Sequence, residues 1–340
     1  MSVRKPITTG QRNREIALIE GLAQVIPSIG HMGKRPALIA GIGDDASVLR
    51  PLPHCEWVIS TDFSLEDVHF RSNYRPESIG YKSLARATSD LAAMGAQPRF
   101  FLLALALPAA KTGKWLRRFA FGMSRAAREF DSRLIGGDTS RSTHVTICIT
   151  VLGEMPAGGA VSRSGARPGD LIYISGTLGA AQLGLEIVLR GLSRQSSLKR
   201  YLLPHFYPQI PVALGQGLAR HRIPSAMMDI SDGLSTDLAR LCAASGVGAR
   251  IRADKIPAAE VPHSLLRRGI NPLKLALHGG DDYGLLFTVP LKSGKRLHRI
   301  ARHAQITQIG KITREREIVL IQRDGQQSPL LSRGWDSFRP

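Results

Sequence analysis

The chain repeats one local design, Gly, Ser or Thr set beside single or paired aspartates. It occurs at Gly41-Ile42-Gly43-Asp44-Asp45, Ser60-Thr61-Asp62, Ser89-Asp90, Gly136-Gly137-Asp138-Thr139, Asp229-Ile230-Ser231-Asp232-Gly233 and Gly279-Gly280-Asp281-Asp282. Residues of these types favour turns and helix caps, so the motifs are expected where strands and helices end. Elsewhere acidic residues are scarce: 27 Asp and Glu stand against 46 Lys and Arg, for a net charge of +19. Carboxylates gathered in this way repel each other unless cations lie between them. Hard divalent ions such as Mg²⁺ take oxygen ligands and share them with substrate phosphates. The pattern points to a Mg²⁺-nucleotide enzyme.

At 340 residues, 43% of them hydrophobic, the chain suits two domains and a large core of α/β or α+β type. No apolar run approaches the ~18 residues that cross a bilayer. The longest, Phe100 to Leu107, reads as a buried strand, and no membrane partner is expected. The first 22 residues lack the apolar core and cleavage site of a secretory signal. Cys55, Cys148 and Cys242 are odd in number and far apart, which argues against a disulfide framework or a Cys zinc site. A reducing cytoplasm is the expected setting. The basic residues are spread along the chain without a nucleic-acid recognition motif. They read as solvated faces, and no specific nucleic acid is expected.

Hydrophobic periodicity predicts helices over 15–25, 79–94, 114–130, 180–191, 212–220 and 233–245. It predicts strands over 37–42, 56–60, 99–107, 145–153, 170–175, 226–230, 282–289 and 306–312, with 133–135 leading into a turn at Gly137. The polar stretch 192–209 reads as an exposed helix or excursion. The Pro/Gly-rich segment Met155 to Gly159 is the expected break between domains 1–155 and 156–340.

Taken alone, Gly41, Gly43 and Ala46 formally fit G-x-G-x-x-A, but Asp44 and Asp45 would face a pyrophosphate with no compensating cation. A metal-holding turn and a plain Asp-Gly hairpin both remain open there. Thr236-Asp237 reads as a helix cap. The Walker sequence G-x-x-x-x-G-K-[ST] and the kinase H-R-D and D-F-G patterns are absent. His69, Arg163 and Trp335, each read alone, fit core or surface roles as well as binding roles.

In combination the motifs resemble the thiamine-monophosphate kinase family, within the aminoimidazole ribonucleotide synthetase-like superfamily, from about Ile16 to Phe338. Besides the acidic motifs, the resemblance rests on Val68-His69-Phe70, Ser162-Arg163-Ser164-Gly165, Pro168-Gly169-Asp170 and Gly334-Trp335-Asp336-Ser337-Phe338. It implies an α+β fold of two domains with mixed sheets and flanking helices. The first domain would bind ATP and Mg²⁺ and form a homodimer through N-terminal strands; the second would complete the active site. It implies direct, Mg²⁺-assisted phosphoryl transfer from ATP to thiamine monophosphate, giving thiamine diphosphate. It implies several Mg²⁺ ions on Asp45, Ser60, Thr61, Asp62, Asp90, Asp138, Asp229 and Asp232, with Asp62, Asp138 and Asp232 central to catalysis. ATP would lie on Gly137, Asp138, Arg163 and Ser231, and the thiamine substrate near His69, Asp281 and Trp335.

The chain departs from the family pattern at three places. Ala87 stands where an Asn is usual. Pro208-Gln209-Ile210-Pro211 lacks the usual Arg. Asp281 and Gly284 replace two glutamates. These departures bear on the acceptor side and keep two alternatives in view: a same-superfamily ATP enzyme with another phosphorylated or carboxylated substrate, and a non-catalytic basic nucleotide- or nucleic-acid-binding protein.

Overall fold

The computed structural model describes residues 14–27, 38–42 and 45–338. Gly43 and Asp44 of the first acidic motif lie outside the described residues. The N-terminal half comprises α1 (Arg14–Val25), β1 (Leu38–Ala40), β2 (Val48–Leu49), β3 (Cys55–Leu65), α2 (Pro76–Met94), β4 (Gln97–Leu107), α3 (Lys114–Glu129), β5 (Arg133–Arg141) and β6 (Thr146–Pro156). The C-terminal half comprises β7 (Leu171–Ser175), α4 (Ala180–Leu189), α5 (Leu203–Phe206), α6 (Val212–Arg220), β8 (Ala226–Asp229), α7 (Leu234–Ser245), β9 (Gly248–Arg252), α8 (His263–Leu266), α9 (Pro272–His278), β10 (Leu285–Val289), α10 (Gly294–Ile300), β11 (Ile306–Thr313), β12 (Ile318–Ile321) and β13 (Gln327–Pro329).

Strands β1 and β2 pair as a small antiparallel sheet of their own, and two mixed sheets carry the other strands. The first has four strands in the order β3-β6-β4-β5; the second has seven, β13-β12-β9-β11-β7-β10-β8. Within the first sheet, β4 and β5 run parallel, joined by the crossover that contains α3. One core gathers Leu84, Leu91, Phe101, Phe119, Met123 and Ile147 beneath α2 and α3. A second gathers Ile172, Ile174, Leu238, Ile251 and Leu286 against the larger sheet. This α+β arrangement is the expected class.

Helix α2 lies between the two halves. Pro76 opens it, where its missing N–H costs nothing. Gly95 closes it at φ 80°, the left-handed conformation that glycine adopts freely. Small residues let α2 approach its neighbours. A Cβ on Gly122 of α3 would lie 1.9 Å from the Glu77 carbonyl oxygen, and one on Gly215 of α6 would lie 2.1 Å from that of Ala92.

Several expectations are corrected. Ser60-Thr61-Asp62 does not end a strand: β3 pairs with β6 without a break from Cys55↔Pro156 to Leu65↔Thr146, so the ladder runs through the aspartate. Likewise Gly136 to Thr139 forms no turn, because parallel pairing with Leu102 to Leu105 of β4 supplies its backbone partners. Tertiary pairing overrides the turn preference of Gly-Gly here. The stretch 192–209 forms the expected helix over Ser196–Leu202 and Leu203–Phe206, but it is not wholly exposed: Leu198 and His205 are buried, and Leu198 packs against Leu183 and Ile187 of α4. Strand β6 extends to Pro156 and so takes in the first two residues of the segment 155–159.

The α2–α3 contact gives a direct test. Gly122→Ala forces a methyl onto backbone and should destabilise the fold by roughly 1–3 kcal/mol. Gly21→Ala in α1, with nothing within 4 Å of the added Cβ, should stabilise by about 0.5–1 kcal/mol. Thermal melting of the two variants checks both signs.

Candidate active site

Alternation along β3 decides which side chains meet. Ser60, Asp62 and Ser64 point toward α2, whereas Ile59, Thr61 and Phe63 point to the opposite face of the sheet. On α2, Lys82, Arg86, Ser89 and Asp90 follow helical spacing along one face. Ser60 Oγ donates to Asp90 Oδ2 at 2.5 Å, and Ser89 Oγ donates to Asp229 Oδ2 at 2.7 Å. Lys82 Nζ meets Asp281 Oδ2 at 2.7 Å. Helix α2 thus links the acidic strand of one sheet to two acidic loops of the other.

Those loops are bonded to each other. Asp281 N–H donates to the Ser231 carbonyl and Tyr283 N–H to that of Ile230, each at 2.8 Å. Asp281 and Tyr283 hold left-handed backbone at φ 67° and 53°. Non-glycine residues pay strain for this conformation and hold it only where their surroundings fix it. Here Tyr283 Oη donates to Asp281 Oδ1 at 2.6 Å, and Lys82 holds the other carboxylate oxygen. Asp282 turns away and accepts from the N–H groups of Gly179 and Ala181, at 2.5 and 3.0 Å, at the start of α4. Asp237 accepts from the N–H groups of Asp232 and Gly233, the capping role expected for it.

The C-terminal segment closes the site. Trp335 N–H donates to the Asp232 carbonyl at 2.9 Å. A Cβ on Gly334 would lie 2.0 Å from that same oxygen, so only glycine fits. The Trp335 and His69 rings face each other with centroids 6.5 Å apart. His69 Nδ1 accepts from the Leu65 N–H at 3.0 Å, which leaves the proton of the neutral ring on Nε2. Between the two halves lies a cavity of about 460 Å³, lined by His69, Arg86, Ser231, Asp232, Asp281 and Trp335 among others.

A second groove, of about 690 Å³, lies on the opposite face of the first sheet. Asp45, Gly136, Gly137, Asp138, Thr139 and Thr150 line it. A Cβ on Gly137 would lie 1.9 Å from the Leu103 carbonyl oxygen, so this stretch stays bare backbone. Thr139 Oγ1 is buried there without a hydrogen-bond partner. Thr61 shares this face, its Oγ1 3.0 Å from that of Thr150.

The structure therefore divides the expected site residues. Ser60, Asp62, Asp90, Asp229, Ser231, Asp232, His69, Asp281 and Trp335 gather at the joint between the halves; Asp45, Thr61, Gly137 and Asp138 lie on the far face. Arg163 lines neither cavity, but its charge reaches Asp229. Among the described residues, no three Asp, Glu, His or Cys side chains are arranged to hold a metal ion by themselves. Of the residues departing from the family pattern, Asp281 alone lines the joint cavity. Pro211 and Gly284 line a separate groove, where a Cβ on Gly284 would lie 2.5 Å from the Ser175 carbonyl oxygen. Lys82, Arg86 and Tyr283 escaped the sequence reading. The signal for the two basic residues was their spacing, Lys82 and Arg86 four apart on the helix that carries Asp90.

Electrostatics at the joint are crowded. Burial pushes the Asp62 carboxyl up to about 6; Arg86 opposes this, while Asp90, Asp281 and Asp232 add to it. Burial and Asp90 push Asp229 up to about 6. Burial also works to raise Asp281, but Lys82 and Arg86 outweigh it and hold that carboxyl well below its usual range. His69 is driven down to about 4 by burial and by Arg86, so its ring is neutral at pH 7.

Comparison with known proteins accords with this architecture. Residues 43–155 match the family described as AIR synthase related protein, N-terminal domain, and residues 167–322 match its C-terminal domain. The chain is 37% identical over 307 residues to the thiamine-monophosphate kinase of Salmonella typhimurium, covering 88% of this chain and 91% of that one. The crystal structure of thiamine-monophosphate kinase from Stenotrophomonas maltophilia superposes with a TM-score of 0.78 at 33% identity, over 94% of this chain and 98% of that one. A structure of AaThiL complexed with AMPPCP and TMP gives a TM-score of 0.73 at 28% identity, over 97% and 100% of the two chains.

The raised Asp62 carboxyl sets a pH signature. A carboxyl with a folded pKa above its unfolded value binds more protons in the folded state, so stability falls as pH rises between the two values. Asp62→Asn removes that dependence. In chelator, its melting temperature relative to the wild type should rise from pH about 4 to about 6 and then level off. A difference that stays flat across this range would contradict the assignment.

Proposed function

The chain belongs to the thiamine-monophosphate kinase family, and from that membership we propose that it transfers the γ-phosphoryl group of ATP directly to thiamine monophosphate, giving thiamine diphosphate and ADP. The observation that carries this reading is the cavity at the joint, where His69, Ser231, Asp232, Asp281 and Trp335 meet beside crowded carboxylates. An oxygen of the acceptor phosphate attacks the γ-phosphorus, and the bond from that phosphorus to the β-bridging oxygen breaks. The acceptor oxygen is already deprotonated near neutral pH, so the step needs no strong base. A neutral His69 suits that requirement: its Nε2–H donates a hydrogen bond rather than taking a proton. Trp335 offers a flat π face for the cationic thiazolium ring.

The donor set fits Mg²⁺. Its groups are hard oxygens, the carboxylates are crowded enough for burial and like charge to raise Asp62 and Asp229, and the described residues form no closed cage. Mg²⁺ is commonly held by one or two carboxylates, with phosphate oxygens and water filling the remaining positions. Ser60, Asp62, Asp90, Asp229 and Asp232 would hold ions on the acceptor side, and Asp45, Thr61 and Asp138 on the far face. Such ions supply neutralisation of phosphate charge. The bare backbone at Gly137 and the unpartnered Thr139 hydroxyl make the second groove the proposed nucleotide seat, with Arg163 and Ser231 reaching toward the phosphates.

We assign residues 1–155 to nucleotide binding and dimerisation and 156–340 to completing the site. Asp62 and Asp138 lie on opposite edge strands and opposite faces of one sheet. Three strand spacings separate them by about 14 Å, too far to share one ion within a protomer. Ile59 and Phe63, 62% and 53% exposed, make the far face apolar. We propose a homodimer through these apolar faces, with the site completed around the edge strand β3 that carries Asp62. Among the described residues no helix is long and apolar enough to cross a membrane. We place the chain in the cytoplasm, a reducing setting that suits its three free thiols.

Thiamine diphosphate should form only when ATP, Mg²⁺ and thiamine monophosphate are all present, and Asp232→Asn should lower kcat by about a hundredfold or more. Direct chromatography of the product checks both. Asp62→Asn and Asp138→Asn should each be inactive. If the site is shared across the dimer, mixing the two unfolded proteins and refolding them should restore up to about a quarter of wild-type activity. No recovery despite heterodimer formation would place both residues in one protomer's site.

A further inference from the structure

Arg86 has no place in the reading so far. It projects from the buried face of α2 into the joint cavity, with its side chain 15% exposed. Its neighbour one turn earlier, Lys82, is fully engaged with Asp281 at 2.7 Å. Arg86 is not engaged in that way. Its Nη2 lies 3.5 Å from Asp62 Oδ1, too long for a strong hydrogen bond, and its Nε is buried with no hydrogen-bond partner. Burial works against the charge, but Tyr283, Asp62, Asp281 and Asp232 outweigh it, so the guanidinium stays cationic.

A buried cation with unfilled donors is costly, and an anion that takes those donors recovers the loss. The nearest carboxylates do not do so: Asp281 is held by Lys82 and Tyr283, and Asp232 by Arg240. A phosphate group matches the planar fork of a guanidinium in shape and charge. Two phosphates would come near, the terminal one of ATP and that of the acceptor. Arg86 shares its cavity with His69 and Trp335, whereas Gly137 and Asp138 line the groove on the far face. We propose that Arg86 binds the phosphate of thiamine monophosphate and thereby selects a phosphorylated acceptor over free thiamine. This rests on the kinase reading above. An anionic phosphate must enter a cavity lined by Asp67, Asp232 and Asp281. Arg86 offsets that repulsion on the acceptor side, and it aims an acceptor oxygen while the ring end stays by Trp335.

The test is calorimetric binding, with Mg²⁺, of thiamine monophosphate, thiamine and AMPPCP to wild type, Arg86→Lys and Arg86→Met. Arg86→Met should weaken thiamine monophosphate roughly tenfold to a hundredfold, with thiamine and AMPPCP changed by less than about twofold. Arg86→Lys, which keeps the charge and loses the fork, should recover part of the affinity. Equal weakening of thiamine and its monophosphate would overturn the proposal in favour of a packing role. Weakening of AMPPCP alone would assign Arg86 to the donor phosphate, and no change in any ligand would leave it only balancing Asp62. If neither variant folds, wild-type protein treated with phenylglyoxal decides. Thiamine monophosphate, but not thiamine, should protect Arg86 from modification as read by peptide mass spectrometry, and absence of that protection refutes the proposal. A wild type that makes no thiamine diphosphate refutes the kinase reading itself. An active wild type whose Arg86→Met variant keeps its affinity for thiamine monophosphate refutes only the role of Arg86.

Discussion

The Lys82–Asp281 ion pair is the contact on which the joint depends. It ties α2 to a loop of the second sheet, with the Lys82 side chain nearly buried and the Asp281 carboxylate partly open to the cavity. Asp281 stands in left-handed backbone, a conformation that relaxes unless the side chain is held. Lys82 and the Tyr283 hydroxyl hold it from two sides. A buried pair of this kind adds little net stability, but removal of one partner leaves an uncompensated charge and is severe. The pair therefore acts as a locator. With Asp281 fixed, the bond from its N–H to Ser231 fixes the neighbouring acidic loop, and the bond from Trp335 to Asp232 fixes the C-terminal segment in turn.

Around this locator the charges do not balance. Asp62, Asp90, Asp229 and Asp232 lie close enough for like-charge repulsion and burial to raise Asp62 and Asp229 into the range near 6. A protein selected for stability alone would replace some of these carboxylates, because their ionisation opposes folding. Their retention is understandable if cations and phosphates complete the charge pattern during turnover. Not every aspartate in the motifs belongs to that surplus. Asp237 and Asp282 are also pushed up, to about 7, chiefly by burial, yet Asp282 spends both oxygens on backbone N–H groups, and Asp237 spends one on backbone N–H groups and the other on Arg240. They build the loops that carry the others.

How much of this was legible in the sequence depends on what each motif's chemistry determines locally. The paired aspartates, the capping role of Asp237 and the apolar periods of the main helices and strands are local properties, and they were readable. The location of Ser60-Thr61-Asp62 and Gly136-Gly137-Asp138 inside strands was not. It follows from ladders with β6 and β4, whose partners lie far away in the chain. Because β-strand side chains alternate, that error hid a second fact, that Thr61 points away from Ser60 and Asp62. The burial of Leu198 and His205 was hidden for a similar reason, since a polar, basic stretch gives no local sign that α4 will cover part of it. Arg86 was lost because its helix was read for its apolar period, and a charged residue one turn from Asp90 looked like surface.

The division of the acidic residues between two faces of one sheet has a chemical consequence. A kinase that must bring two polyanions together gains by keeping them apart until both are bound, since each would otherwise repel the other's approach. In this chain the bare backbone at Gly137 and the aromatic end of the joint cavity lie on opposite faces of the β3-β6-β4-β5 sheet. The proposed nucleotide seat and the proposed acceptor seat can therefore fill independently, each against its own carboxylates and cations. Only their phosphate ends need to meet, and the proposed homodimer would bring them together around the edge strand β3. The apolar exposure of Ile59 and Phe63 on an edge strand otherwise invites unspecific association. It would be intelligible as the surface covered in the proposed homodimer.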